Sequence, residues 1–211
     1  MILAVDGPTA SGKGTIARAL AAHYALPYLD TGLLYRAVGA HTAASGGDPD
    51  SEADALAGCS FPEALLADPL LRTEDTGALA SRVSRHPAVR AALLSRQRAF
   101  ATQAGGAILD GRDIGTVIAP DADAKLFVTG SVAARAERRH AEMLGRGISA
   151  TLDAIAADLA ERDARDSGRS ASPLLRADDA ALLDTTELSI ESAVRQAIAL
   201  VDAQLERRGI P

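Results

Sequence analysis

Gly7-Pro8-Thr9-Ala10-Ser11-Gly12-Lys13-Gly14-Thr15 stands between the apolar run Ile2-Leu3-Ala4-Val5 and the helix-forming stretch Ile16-Ala17-Arg18-Ala19-Leu20. Strand, glycine-rich loop and helix in that order make a cradle for an oligophosphate. Glycines at 7 and 12 remove side chains where backbone N–H groups must close around phosphate oxygens. The helix adds its unpaired N–H groups and the positive end of its dipole. Lys13 can then reach a transferring phosphoryl group, and the Thr15 hydroxyl can meet Mg²⁺. The chain has two lysines, Lys13 and Lys125, against twenty arginines. Lysine kept at position 13 in so arginine-rich a chain fits a need for a compact, mobile ammonium. The hydroxyl comes after Gly14 instead of directly after the lysine, a variant of the simplest pattern.

Three further clusters could act on a second anionic ligand. Asp30-Thr31-Gly32-Leu33-Leu34-Tyr35-Arg36 follows a short extended piece, where Thr31 and Arg36 can address it. Asp110-Gly111-Arg112-Asp113 follows Ile108-Leu109; there Asp110 can hold Mg²⁺ through water while Arg112 and Asp113 face a cleft. Either segment alone is equally well a polar turn or a helix cap. Arg162, Arg165, Asp166 and Arg169 are spaced by three, four and seven, so on a helix they share one face. A solvated charged face would read the same way. Phosphoryl transfer gives such arginines a use, because charge spreads over the phosphoryl oxygens in the transition state and guanidiniums contact them bidentately. Gly168 interrupts the helix before Arg169.

The elements that must position these groups alternate. Helices are expected over 16–25, 32–44, 76–85, 87–103, 131–144, 151–169 and from Ser189 onward. In the last of these Ile190, Ala193, Val194, Ala197, Ile198, Val201 and Leu205 recur at helical spacing. Short strands are expected at Pro27–Leu29, 107–109, 124–128 and 182–183. Glycines and prolines punctuate 45–75, which reads as an insertion with no clear pattern. Strands alternating with helices imply an α/β fold whose parallel sheet is covered on both faces, with ligands at the carboxyl ends of the strands.

With 211 residues, one domain with small insertions is expected. Aromatics are 3% of a chain that is 47% hydrophobic, so Ala, Leu, Ile and Val must build the core. A formal charge of −6 argues against nucleic-acid binding through bulk charge. Cys59 stands alone, which excludes a disulfide framework and points to a reducing compartment. The start reads as a first strand with no leader, and no stretch is long enough to span a membrane. A soluble, cytoplasmic protein without membrane or nucleic-acid partners is expected, and a monomer.

Taken together, Gly7–Thr15, Leu29-Asp30-Thr31-Gly32 with Tyr35-Arg36, Arg90–Phe100, Asp110–Val117 and Arg162-Asp163-Ala164-Arg165-Asp166 resemble the bacterial cytidylate kinases over nearly the whole chain. The loop Gly12-Lys13-Gly14-Thr15 is similar to that of nucleoside monophosphate kinases in general. The resemblance implies a P-loop kinase fold in one domain, 1–211, with a nucleoside-monophosphate region at about 31–103 (insertion about 45–75) and a mobile lid at about 138–165. It implies transfer from ATP to CMP or dCMP with Mg²⁺ and without a covalent phosphoenzyme. Gly7, Pro8, Thr9, Ala10, Ser11, Gly12, Lys13, Gly14 and Thr15, with Arg138 and Arg139 of the lid, would bind ATP. Thr31 and Arg36 would contact the acceptor nucleotide, and Ser81, Arg90 and Asp113 its cytosine edge. Arg112, Arg162 and Arg169 would lie on the acceptor phosphate or the transferring group, and Asp166 on the sugar. Lys13, Arg112 and Arg162 would be the catalytic set, and Thr15 and Asp110 the metal partners.

Two departures from the family pattern stand out. Ala10 occupies a position where many members carry glycine, which requires a negative φ there. Between Cys59 and Arg72 the chain is short and carries two prolines, against the small antiparallel sheet of longer members. A shikimate or gluconate kinase would share the loop and lid arginines but need no cytosine reader. A nucleotide-binding switch would share the loop alone, and its Asn-Lys-x-Asp base reader is absent.

Overall fold

The structure is a computed structural model that describes residues 1–169 and 172–210. Five strands, β1 (Ile2–Asp6), β2 (Tyr28–Asp30), β3 (Ala107–Gly111), β4 (Ala124–Thr129) and β5 (Ala181–Asp184), form one sheet in the order β2-β3-β1-β4-β5. Pairing is parallel between β1 and β3, β1 and β4, and β4 and β5. Among the described residues the α-helices are α1 (Lys13–Tyr24), α2 (Thr31–Ala44), α3 (Glu52–Ala57), α4 (Glu74–Val83), α5 (Pro87–Ala101), α6 (Val132–Gly145), α7 (Leu152–Ser167) and α8 (Ile190–Arg208).

Register brings the chemistry to one edge. Asp6 of β1 stands level with Gly111 of β3 and Phe127 of β4, and Thr129 with Asp184 of β5. The segments starting at Gly7, Arg112, Gly130 and Thr185 therefore all leave the carboxyl edge of the sheet, where ligands bind in open parallel sheets. Strand interiors are almost wholly apolar: Leu3, Ala4, Val5, Ile108, Leu109, Leu126 and Val128 are each 1% exposed or less, as burial on both faces demands. Ile16, Ala17 and Leu20 of α1 and Ala197, Val201 and Leu205 of α8 complete this core.

Helix starts follow their capping residues. Ser131, Thr151 and Ser189 each accept an N–H two residues into the helix that follows, from Ala134, Ala154 and Ser192. Helices α6 and α7 pack through Ala136, Ile155 and Leu159, a small core of their own. Ile190, expected in the buried stripe of α8, is 70% exposed instead. It is the first helical residue, ahead of the face that Ala193 begins.

The chain divides into two compact units, Met1–Leu29 with Ala101–Pro211, and Asp30–Phe100. In the second, α2 buries Leu34, Tyr35, Ala37 and Val38. Residues 52–72 form α3 and three 3₁₀ turns and contain no strand. Pro62 and Pro69 each stand at the start of a 3₁₀ turn; without an N–H, neither can donate to a sheet ladder.

Candidate active site

The loop between β1 and α1 owes its shape to two glycines for different reasons. A β-carbon at Gly7 would sit 2.0 Å from the Val128 carbonyl oxygen, so only glycine lets the loop pass over β4. Gly12 adopts φ +86°, and as the residue before α1 it supplies no capping side chain. The first turn of α1 thus presents N–H donors and its positive dipole end to an anion. Lys13 opens the helix and Thr15 is exposed on that first turn. Ala10 contradicts the expectation of negative φ: it is left-handed, with φ +60°. An alanine there costs about 1–2 kcal/mol, so its surroundings must impose the conformation.

Two arginines hold Thr9, the residue before Ala10. Arg112 donates from Nη2 to the Thr9 hydroxyl at 2.7 Å and from Nε to Asp166 Oδ2 at 2.7 Å. Arg135 of α6, which the sequence reading passed over, donates from Nη1 to the Thr9 carbonyl at 3.0 Å and grips Asp163 of α7 with both terminal nitrogens, at 3.2 and 2.5 Å. Nothing in the sequence sets Arg135 apart from the other arginines of α6.

Asp166 is the hub of the α7 cluster. It is 6% exposed and accepts from Arg112 and from Arg169 Nη2, the latter at 2.5 Å. Burial pushes its carboxyl up, but Arg112, Arg169 and Arg162 together hold it below the usual carboxylate range. Burial also pulls the Arg162 guanidinium below its ordinary value, with Asp158 opposing and Arg112 adding to the effect. Arg165 does not join this group. Its side chain is 46% exposed and pairs with Glu161 at 3.5 Å. The spacing explains the correction: a step of four from Arg162 falls about 40° ahead of it, whereas a step of three falls about 60° behind, farther from the buried stripe. Arg169 lies just past the end of α7, where Gly168 caps the helix.

A cleft of about 690 Å³ opens over the loop, lined by Ala10–Ile16, Arg18, Arg138, Arg139, Ala141, Glu142, Thr185, Leu188, Ser189, Ile190 and Ala193. Arg138 and Arg139 are thus brought beside Lys13. Arg138 is anchored to Thr185, through its hydroxyl at 3.0 Å and its carbonyl; Arg139 reaches Glu142 at 2.8 Å. The Thr185–Ile190 wall escaped sequence reasoning. Its signal was its position after the last strand, at the carboxyl edge.

Asp110 is 3% exposed, and its Oδ1 accepts from the Tyr28 hydroxyl at 2.7 Å. Its Oδ2 would lie 3.7 Å from a β-carbon at Gly14, which also faces Tyr28. Asp110 therefore lies close to the loop at Gly14, where a β-carbon would make no more than ordinary contact with it. Among the described residues no three His, Cys, Asp or Glu side chains gather as a metal site. One hydroxyl and one carboxylate suit a Mg²⁺ that keeps its waters and arrives with phosphate ligands. Asp113, 5% exposed, opens a π-helical turn, Ile114–Ile118, in which Ala119 N–H bonds the Ile114 carbonyl at 2.7 Å. Asp6 holds that turn: Oδ1 accepts from Ile114 N and Oδ2 from Gly115 N, both at 2.8 Å. Neither Asp6 nor the turn was legible as part of the site.

In the other unit, Arg36 Nη1 donates to the carbonyls of Leu71 at 2.9 Å and Thr73 at 2.7 Å. Arg90 lies over the Tyr35 ring, 5.4 Å from its centroid, and donates to the Ser84 carbonyl at 3.2 Å. Thr31, 3% exposed, begins α2, for which Asp30 is the capping residue; Ser81 sits on α4.

The family model for cytidylate kinase matches residues 3–203. A cytidylate kinase of Xanthobacter autotrophicus (strain ATCC BAA-1158 / Py2) is 55% identical over 97% of this chain and 98% of its own. One of Caulobacter sp. (strain K31) is 51% identical over 100% and 98%. A crystal structure of an uncharacterized protein from Eubacterium ventriosum ATCC 27560 shares the fold, with a TM-score of 0.55 at 15% identity over 96% of this chain and 99% of that one.

Proposed function

The chain belongs to the cytidylate kinase family, and we infer that it transfers the γ-phosphoryl group of ATP to CMP or dCMP, giving ADP and CDP or dCDP. The observation that carries this reading, beside family membership, is the pairing of a phosphate-cradling loop with the Arg112–Asp166–Arg169 cluster in one compact unit. The first serves a donor triphosphate; the second supplies fixed positive charge for an acceptor phosphate and a transferring group.

The residue roles follow from the chemistry each side chain offers. Residues Gly7–Thr15 wrap the ATP phosphates, Lys13 neutralises charge on the transferring group, and Arg138 and Arg139 border the cleft in which the rest of ATP lies. Arg112, Arg162 and Arg169 face phosphoryl oxygens, and Asp166 orients Arg112 and Arg169 while offering an acceptor to the sugar. Thr31 and Arg36 hold the acceptor nucleotide. Ser81, Arg90 and Asp113 read cytosine, whose amino group requires an acceptor such as a carboxylate. Thr15 and, through water, Asp110 would hold Mg²⁺, which supplies charge neutralisation between donor phosphates. No general base is required, because positioning and charge carry the reaction.

The unit Asp30–Phe100 supplies the acceptor-nucleotide region, and the α6–α7 hairpin the lid. The protein works as a cytoplasmic monomer without nucleic-acid or membrane partners; among the described residues no helix is long and apolar enough to cross a membrane. ADP release measured with AMP, CMP, dCMP, UMP and GMP as acceptors tests the reading. CMP and dCMP should lead, and a better rate with AMP or GMP would overturn it.

A further inference from the structure

We infer that Arg135, oriented by Asp163, is a positioning residue for the donor nucleotide, holding the Thr9–Ala10 peptide in the left-handed turn that shapes the phosphate loop. The inference rests on Gly7–Thr15 being the donor triphosphate loop. The Arg135 side chain is 3% exposed. It ties together three elements: the end of β4 through Nε to the Gly130 carbonyl at 2.9 Å, the loop through Nη1 to the Thr9 carbonyl at 3.0 Å, and α7 through the fork on Asp163. The Thr9 carbonyl belongs to the peptide plane whose orientation sets φ of Ala10, and that φ is +60°.

A β-carbon disfavours this conformation by roughly five- to thirtyfold relative to glycine. Such a residue persists only where its surroundings over-determine it. Arg135 on the Thr9 carbonyl and Arg112 on the Thr9 hydroxyl do so from two sides. The Ala10 methyl supplies a third tie, because it packs against the Ala136, Ile155 and Leu159 cluster of α6 and α7. The α6–α7 hairpin is therefore coupled to the backbone of the phosphate loop before any nucleotide contact is considered. A planar guanidinium suits the post, since a lysine ammonium cannot span carboxylate and two carbonyls in one fixed geometry.

A double-mutant cycle tests this. Arg135→Gln and Asp163→Asn are each made in the natural chain and in the Ala10→Gly chain. ATP alone and CMP alone are titrated calorimetrically, and KM is measured for each. In the natural chain Arg135→Gln should weaken ATP about tenfold or more and CMP by less than about twofold. In the Ala10→Gly chain the same substitution should weaken ATP by no more than about threefold, because glycine adopts the turn without help. Asp163→Asn should follow the same pattern at smaller size, and it carries the test if Arg135→Gln does not fold. Equal losses in both chains, or losses shared by ATP and CMP, would overturn the inference and leave Arg135 a packing residue. The CMP titration of the natural chain tests the acceptor assignment separately, so the two readings fail in different measurements.

Discussion

Arg112 and Asp166 meet at 2.7 Å with 21% and 8% of their side chains exposed, so the charge that would face an acceptor phosphate is held in place by a buried carboxylate. Asp166 takes Arg169 on its other oxygen. Asp166→Asn keeps the shape and removes the carboxylate charge that faces two enclosed guanidiniums. The variant should lose about 2–4 kcal/mol of stability in urea unfolding. Its KM for CMP should rise more than its KM for ATP. Unchanged stability would mean that the arginines find solvent or other partners easily.

Asp113 opens the turn that Asp6 fixes, and Ser81 lies on α4. If these side chains read cytosine, Asp113→Ala and Ser81→Ala should each raise KM for CMP with little change for ATP. An unpaired base-reading group costs about 1–3 kcal/mol, or about tenfold and more in KM. Equal effects on both substrates would assign Asp113 to the fold instead.

The alternating strands and helices were legible because their apolar periodicity is strong, and the phosphate loop because its glycines have backbone reasons to be there. In the fold Gly7 is required by the close approach of the Val128 carbonyl, and Gly12 by its left-handed φ. Ala10 was misread because sequence shows which φ a residue prefers, not which φ its neighbours impose; Arg135 and Arg112 impose one through Thr9. Asp6 ends β1, and no local pattern reveals its role, since its partners are N–H groups more than a hundred positions away. The Ile114–Ile118 turn is one loop of i→i+5 bonding, too short to carry a period. Arg165 shows the limit of helical spacing, which tells neighbours apart from strangers but not which side of a stripe stays buried.

Asp6 also predicts a pH dependence. Burial pushes its carboxyl from the ordinary 3.8 up to about 7, against the N–H groups of Gly115 and Ile114, which pull it down. A carboxyl with a raised value binds its proton more tightly in the fold than in the unfolded chain. The stability of the natural protein relative to Asp6→Asn should therefore be greatest below about pH 4, fall as pH rises to about 7, and then stay level. The full change is on the order of 4 kcal/mol. Urea unfolding of both proteins at intervals from pH 4 to 8 measures it. A difference that does not vary with pH would show that Asp6 ionises in the fold as it does in the unfolded chain.

Arg162 separates work done in the transition state from binding in the ground state. It lies one helical turn before Asp166 on the buried face of α7, with 16% of its side chain exposed and a loose 3.9 Å ion pair to Asp158. Burial disfavours its charge, with Arg112 and Arg139 adding to that effect. A guanidinium held in such surroundings gains most from negative charge that develops nearby during the reaction. Closure of the α6–α7 hairpin over both nucleotides would exclude water and strengthen that contact. Arg162→Ala should thus lower kcat and kcat/KM together by ~10³-fold or more, with KM for ATP little changed. Arg162→Lys should recover little, because one ammonium cannot span two phosphoryl oxygens. An alanine variant that lost affinity alone, at unaltered kcat, would make Arg162 a ground-state clamp.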